Sequence, residues 1–110
     1  MKNGAELIAE ERKRQVEFEG WTPEHDDEHA SFSMSTAGAI YALNLYQIKL
    51  ITKYHNIKLA EEINEISDIL WPWDGKWWKP TPDDPVRQLV KAGALIAAEI
   101  DRILRQKEVK

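Results

Sequence analysis

A chain of 110 residues, with 43% hydrophobic and 31% charged side chains, fits one globular domain and excludes a disordered or fibrous protein. The absence of Cys excludes a disulfide framework and thiolate zinc sites, and a net charge of −4 with no dense basic run argues against duplex nucleic acid as a partner. No stretch reaches membrane-spanning length and the N-terminus lacks the apolar core of a secretion signal, so a cytoplasmic protein with no membrane partner is expected.

The spacing predicts a first helix over residues 4–19, capped by Asn3. Its inward stripe runs through Leu7, Ile8, Glu11, Arg12, Gln15, Val16 and Phe18. Three polar residues, Glu11, Arg12 and Gln15, interrupt that stripe. Either they form a snorkelling edge, or the helix faces a polar pocket. Gly20 breaks the helix, and Thr22-Pro23 is an N-cap followed by a first helical position.

A long helix is expected from about Ala30 to His55. Ala37, Ile40, Tyr41, Ile48 and Ile51 form one stripe, interrupted by Asn44, and Ala39, Leu43, Tyr46 and Leu50 form a second. Two apolar faces imply burial on two sides. A shorter helix over 58–70 carries Leu59, Ile63, Ile66 and Leu70 inward. Four of the five Trp residues then fall between Trp71 and Trp78, in a segment that Pro72, Pro80 and the Asp74-Gly75 turn mark as a loop.

The last helix starts at Asp84-Pro85 and runs to about Arg105. Its predicted core stripe is Val86, Leu89, Val90, Gly93, Ile96, Ala97, Ile100 and Leu104. Residues 92–98 are apolar all round, which in so small a chain suggests a subunit interface. The expected fold is therefore all-α: one compact, four-helix bundle-like domain over 1–110, forming a homodimer or higher homo-oligomer.

Three groups of residues could carry chemistry. In Glu24-His25-Asp26-Asp27-Glu28-His29, the histidines are four apart and share a helix face. Glu24, Asp26, Asp27 and His29, joined by Glu11 across the Gly20 break, are candidate metal ligands, with Mg²⁺ the cofactor that carboxylates favour. The same acids could instead complement a helix dipole. Trp73, Trp77 and Trp78 could stack on a nucleobase, or pin their loop to the helices. Arg12, Gln15, Arg87 and Lys91 could bind phosphate, the alternative for Arg87 and Lys91 being a solvated surface pair. No Gly-rich phosphate loop and no nucleophile–His–acid triad is present.

The segments Glu11–Gln15, Glu19–His29 and Leu89–Ile100, with the Trp-Pro-Trp and Trp-Trp-Lys-Pro pieces, resemble a group of small phage and prophage proteins. That group is similar to phage members of the MazG-like all-α nucleoside triphosphate pyrophosphatases. The likeness covers the first forty residues and the last thirty, and not residues 45–68. It implies a helical bundle, usually dimeric or tetrameric, and Mg²⁺-dependent cleavage of a nucleotide between its α and β phosphates. It also implies a host-cell cytoplasmic setting.

The family's acids come as Glu-Glu-x-x-Glu on one helix and Glu-x-x-Asp on the next. By helix order they would fall on Ser35–Ala39 and on Gln88 and Lys91, none of which is acidic. Glu61-Glu62-Ile63-Asn64-Glu65 spells the first motif, but on another helix. The resemblance therefore leads to a nucleotide- or phosphorylated-ligand-binding protein, one role for which is to sequester a nucleotide-derived signal. An active metal-dependent nucleotide pyrophosphohydrolase and a protein-interaction module with the Trp loop as its surface are the alternatives.

Overall fold

The computed structural model describes residues 1–28, 32–44, 57–81 and 83–109. Among them every regular element is helical: α1 (Gly4–Glu19), α2 (Pro23–Asp27), α3 (Ser33–Leu43), α4 (Ile57–Leu70), a single 3₁₀ turn (Gly75–Trp77) and α5 (Pro85–Val109). No described helix is long and apolar enough to cross a membrane.

The helix ends follow local chemistry. The Asn3 side chain accepts from Glu6 N at 2.9 Å, and the Glu6 carboxylate accepts from Asn3 N, closing a capping box. Gly20 ends α1 in the left-handed region (φ 75°), and both Gly20 N and Trp21 N donate to Gln15 O. Thr22 caps α2 through His25 N, and Asp84 caps α5 through Arg87 N at 3.0 Å. The start of α3 differs from expectation. The helix begins at Ser33, after Phe32 in the left-handed region (φ 61°), a conformation its sequence does not announce. Its end at Leu43 is followed by residues 45–56, so the expected continuation to His55 lies outside the described residues, as does His29.

α5 is the central element: α1, α2 and α3 all pack on it, and α4 packs on α3. The core joins Trp21, Met34, Ala37, Tyr41, Ala92, Leu95 and Ala98, with Trp71, Trp73 and Trp78 packed against it. Close approach is built from small residues. A Cβ at Gly38 would come within 2.9 Å of the Ala92 carbonyl, and one at Gly93 would strike the end of Ile8.

The inward face of α5 is not the predicted stripe. Val90 is buried, but Gln88, Ala92, Ala94, Leu95, Ala98, Glu99 and Arg102 are the residues buried beside it. Val86, Leu89, Ile96, Ile100 and Leu104 are 41–58% exposed and lie together on the outer face. The small side chains were selected for contact with α3, and the large ones were left outside. The stretch 92–98 is accordingly consumed within the chain, apart from Ile96. Phe18 is also exposed rather than inward, and on α4 Ile63 is buried while Ile66 and Leu70 are exposed. The second apolar stripe of α3 faces outward at Ala39 and Leu43.

Candidate functional site

The polar interruption of α1 faces inward. Glu11 and Gln15 are 2% and 5% exposed, which selects the polar-pocket reading over the snorkelling one. A carboxylate so placed needs charge partners. Arg14 supplies a bidentate one, with Nε to Oε1 at 2.8 Å and Nη2 to Oε2 at 2.9 Å, and Arg87 adds Nη1 to Oε1 at 2.7 Å. Burial would raise the Glu11 carboxyl, but these guanidiniums overcome it and hold it below the ordinary value.

Glu11 and Gln15 form the floor of a small cleft of about 40 Å³ between α1, α5 and the Trp segment. Trp73 and Trp77 line one side, Lys79 and Lys91 the rim, and Tyr41 the far wall. The Tyr41 hydroxyl accepts from Lys79 N at 3.0 Å and donates to Trp77 O, so α3 holds the Trp segment in register. Lys91 donates to Lys79 O at 2.8 Å. No carboxylate among the described residues lies within 4.0 Å of its ammonium, whereas Lys79 approaches Glu19 at 3.9 Å. Burial, then Arg87, push the Lys91 pKa down. Gln15 donates to Glu11 at 3.2 Å, and its amide oxygen accepts no hydrogen bond from any described group.

Of the seven residues expected to contact a ligand, the structure gathers four, Gln15, Trp73, Trp77 and Lys91, in this cleft. Arg87 stands behind it, bound to Glu11. Arg12 is elsewhere, donating to Trp21 O at 3.0 Å and pairing with Asp26. Trp78 packs on Tyr41 at a ring separation of 4.6 Å and lines a different cavity. Arg14, Glu19, Tyr41 and Lys79 were not foreseen. The first two were readable, because Glu19 repeats the four-residue spacing of Glu11 and Gln15, and Arg14 is three residues from Glu11. Tyr41 and Lys79 reach the cleft only through tertiary packing.

The five candidate metal ligands are not assembled into one site by the described residues. Asp26 is fully buried against Arg12, and its carboxyl is pushed up because burial outweighs the Arg12 and His25 partners. Asp27 pairs with Arg105 at 2.7 Å, and Glu24 is exposed. Glu11 sits between two guanidiniums, and His29 is not among the described residues. No group of three His, Asp or Glu side chains among those described is placed to hold a metal ion.

Ser35 and Gln88, where the resemblance would place acids, have other partners here. Ser35 donates through N and Oγ to Glu99, whose other oxygen binds Arg102 at 2.7 Å. Gln88 is consumed between Tyr41 O and Thr81. Glu61, Glu62 and Glu65 are exposed.

Family models, curated proteins and solved structures show no match to this chain.

Proposed function

We propose that the chain binds a phosphorylated small molecule, with a nucleotide as the favoured class, whose phosphate meets Lys91 and Lys79 at the mouth of the cleft between α1, α5 and the Trp segment while the rest of the molecule lies outside its interior of about 40 Å³. The observation that carries this reading is Lys91. Its ammonium is partly buried and has, among the described residues, a backbone carbonyl as its hydrogen-bond partner and no carboxylate in contact, which leaves donors for a further acceptor. Beside it the buried Gln15 amide oxygen accepts from no described group, which suits a donor on the ligand, such as a base amine, rather than a phosphate oxygen. Arg14, Lys79 and Lys91 outnumber Glu11 and Glu19 at the cleft, in a chain whose net charge is −4. A phosphate oxygen would satisfy Lys91 and the rim, and the partly exposed Trp77 ring gives a base a surface on which to stack.

Binding is favoured over hydrolysis because three of the four described candidate acids, Glu11, Asp26 and Asp27, pair with arginine, and the fourth, Glu24, is exposed and does not line the cleft. The interaction-module reading is weakened because Trp71, Trp73 and Trp78 pack on the core. Calorimetric titration with a panel of nucleoside triphosphates and inorganic triphosphate, with and without Mg²⁺, tests the reading. Binding without turnover is expected. Release of pyrophosphate would establish the hydrolase instead, and no binding of any phosphorylated compound at millimolar concentration would reject both.

A second copy of the chain is the proposed cover for Val86, Leu89, Ile96, Ile100 and Leu104. Five large apolar side chains on one helix face are a larger patch than scattered surface residues make. Light scattering across a concentration series distinguishes the dimer from a monomer.

A further inference from the structure

A second cavity, of about 470 Å³, opens on the other side of Trp73, between α3, α4 and the Trp segment. Its size is that of a small-molecule site. Its chemistry is opposite to that of the Lys91 cleft. No Lys, Arg or His is among its described lining residues, and its one charged group is the exposed Asp68 carboxylate. Three indoles form its aromatic side. Trp71 meets Trp73 at 5.6 Å and 83°, and Trp78 at 5.1 Å and 67°. Ser67 and Asn44 are buried at its base and bonded to each other at 2.8 Å, which fixes that wall. α4 carries Glu61, Glu62 and Glu65 besides Asp68, against Lys58, while Lys76 and Lys79 neighbour the lining residues Gly75, Trp78 and Pro80 without lining the cavity themselves.

A cavity whose one charged group among the described lining residues is a carboxylate, cornered by steeply inclined indoles, disfavours phosphate and attracts positive charge. We propose that this cavity is a binding site for a small organic cation, a ligand bearing an alkylated ammonium group that rests against Trp71, Trp73 and Trp78 and faces Asp68. The site is separate from the phosphate cleft and stands or falls without it. Among the described residues the two share one lining side chain, Trp73.

The test is a titration of the whole chain with choline and with 3,3-dimethylbutan-1-ol, its uncharged isostere of nearly equal shape. Indole fluorescence and saturation-transfer NMR report the contact. Choline is expected to bind at least tenfold more tightly, with affinity falling as salt is added. Asp68→Asn should reduce that preference severalfold without moving the thermal midpoint, because Asp68 is exposed. Lys91→Ala should leave choline affinity unchanged. Trp71→Phe keeps an apolar wall with a weaker π face and should also weaken choline. Equal binding of choline and the alcohol would overturn the proposal, as would no choline binding at tens of millimolar. A preference for an uncharged nucleoside over choline would overturn it too, and so would an Asp68→Asn variant with the preference intact.

Discussion

Lys91 donates its ammonium hydrogen to the backbone carbonyl of Lys79, so α5 grips the end of the Trp segment through a cation that has no carboxylate of its own among the described residues. If that ammonium holds phosphate, Lys91→Ala should weaken nucleotide binding by about 1.5–3 kcal/mol, the range for a hydrogen bond to a charged group. The ammonium must be protonated to act. Affinity should therefore fall as pH rises through the Lys91 pKa. Burial and Arg87 hold that pKa below the ordinary lysine value, so the fall should begin at lower pH than for a surface lysine. Calorimetry of wild type and variant across an alkaline pH series reads both effects, and unchanged affinity in Lys91→Ala would remove the residue from the site.

Glu11 links acid stability to the same cleft. Its folded pKa is depressed, because Arg14 and Arg87 overcome the effect of burial. Its contribution is thus present above its ordinary value of about 4.5, and lost as pH falls through the lower folded value. Glu11→Gln should lower stability near neutrality by about 1–3 kcal/mol and make the acid limb less steep. Asp26 acts in the opposite sense: its folded pKa is raised, so its penalty is relieved as pH falls. Urea midpoints of both chains between neutral and acid pH measure the difference in slope.

The Arg12–Asp26 pair is expected to show its weight only when half of it is removed. Arg12→Met leaves a fully buried carboxylate without its guanidinium and should cost about 3–5 kcal/mol. Asp26→Asn removes the buried charge and should cost less. Chemical denaturation of both variants orders them, and equal losses would contradict this account.

The two glycines at helix contacts should respond differently to the same change. Gly38→Ala drives a methyl towards the Ala92 carbonyl, which cannot rotate away, and should cost about 1–3 kcal/mol. Gly93→Ala meets the flexible end of Ile8, while helix propensity returns up to about 1 kcal/mol. Calorimetric melting should show the first well below wild type and the second close to it.

If a second copy covers this face, Ile96→Glu and Ile100→Glu should dissociate the proposed dimer while the monomer keeps its helical circular dichroism, since both side chains are on the exposed face of α5. Ala94→Glu, by contrast, buries a charge in the chain's own core and should unfold it. A wild-type monomer at high micromolar concentration would reject the interface.

The helix ends were legible because they depend on residues next to one another: Asn3 with Glu6, Gly20 with Gln15, Thr22 with Pro23, and Asp84 with Pro85. The orientation of α5 was not. Periodicity marked Leu89, Ile96 and Ile100 as apolar, but apolarity does not say which neighbour covers a face. Ala92, Leu95 and Ala98 won the contact with α3 because small side chains let the helices approach. The cleft was partly legible for a similar reason. Gln15 and Lys91 stood out on their own helices as polar groups beside apolar stripes. Tyr41 and Lys79 acquire meaning only when α3 brings a hydroxyl to the end of the Trp segment. At the start of α3, Phe32 carries no capping signal, and the helix is instead closed by Glu99 accepting from Ser35.

The central place of α5 also sets an order of events during synthesis. α1, α2 and α3 leave the ribosome before the helix on which they all pack. Until Ala92, Leu95 and Ala98 emerge, Met34, Ala37 and Trp21 lack the partners that keep them from water. Partial structures of the nascent chain therefore expose apolar surface and gain little from forming early. Folding must wait for contacts between distant parts of the chain, which makes it cooperative and slower than for a bundle assembled hairpin by hairpin.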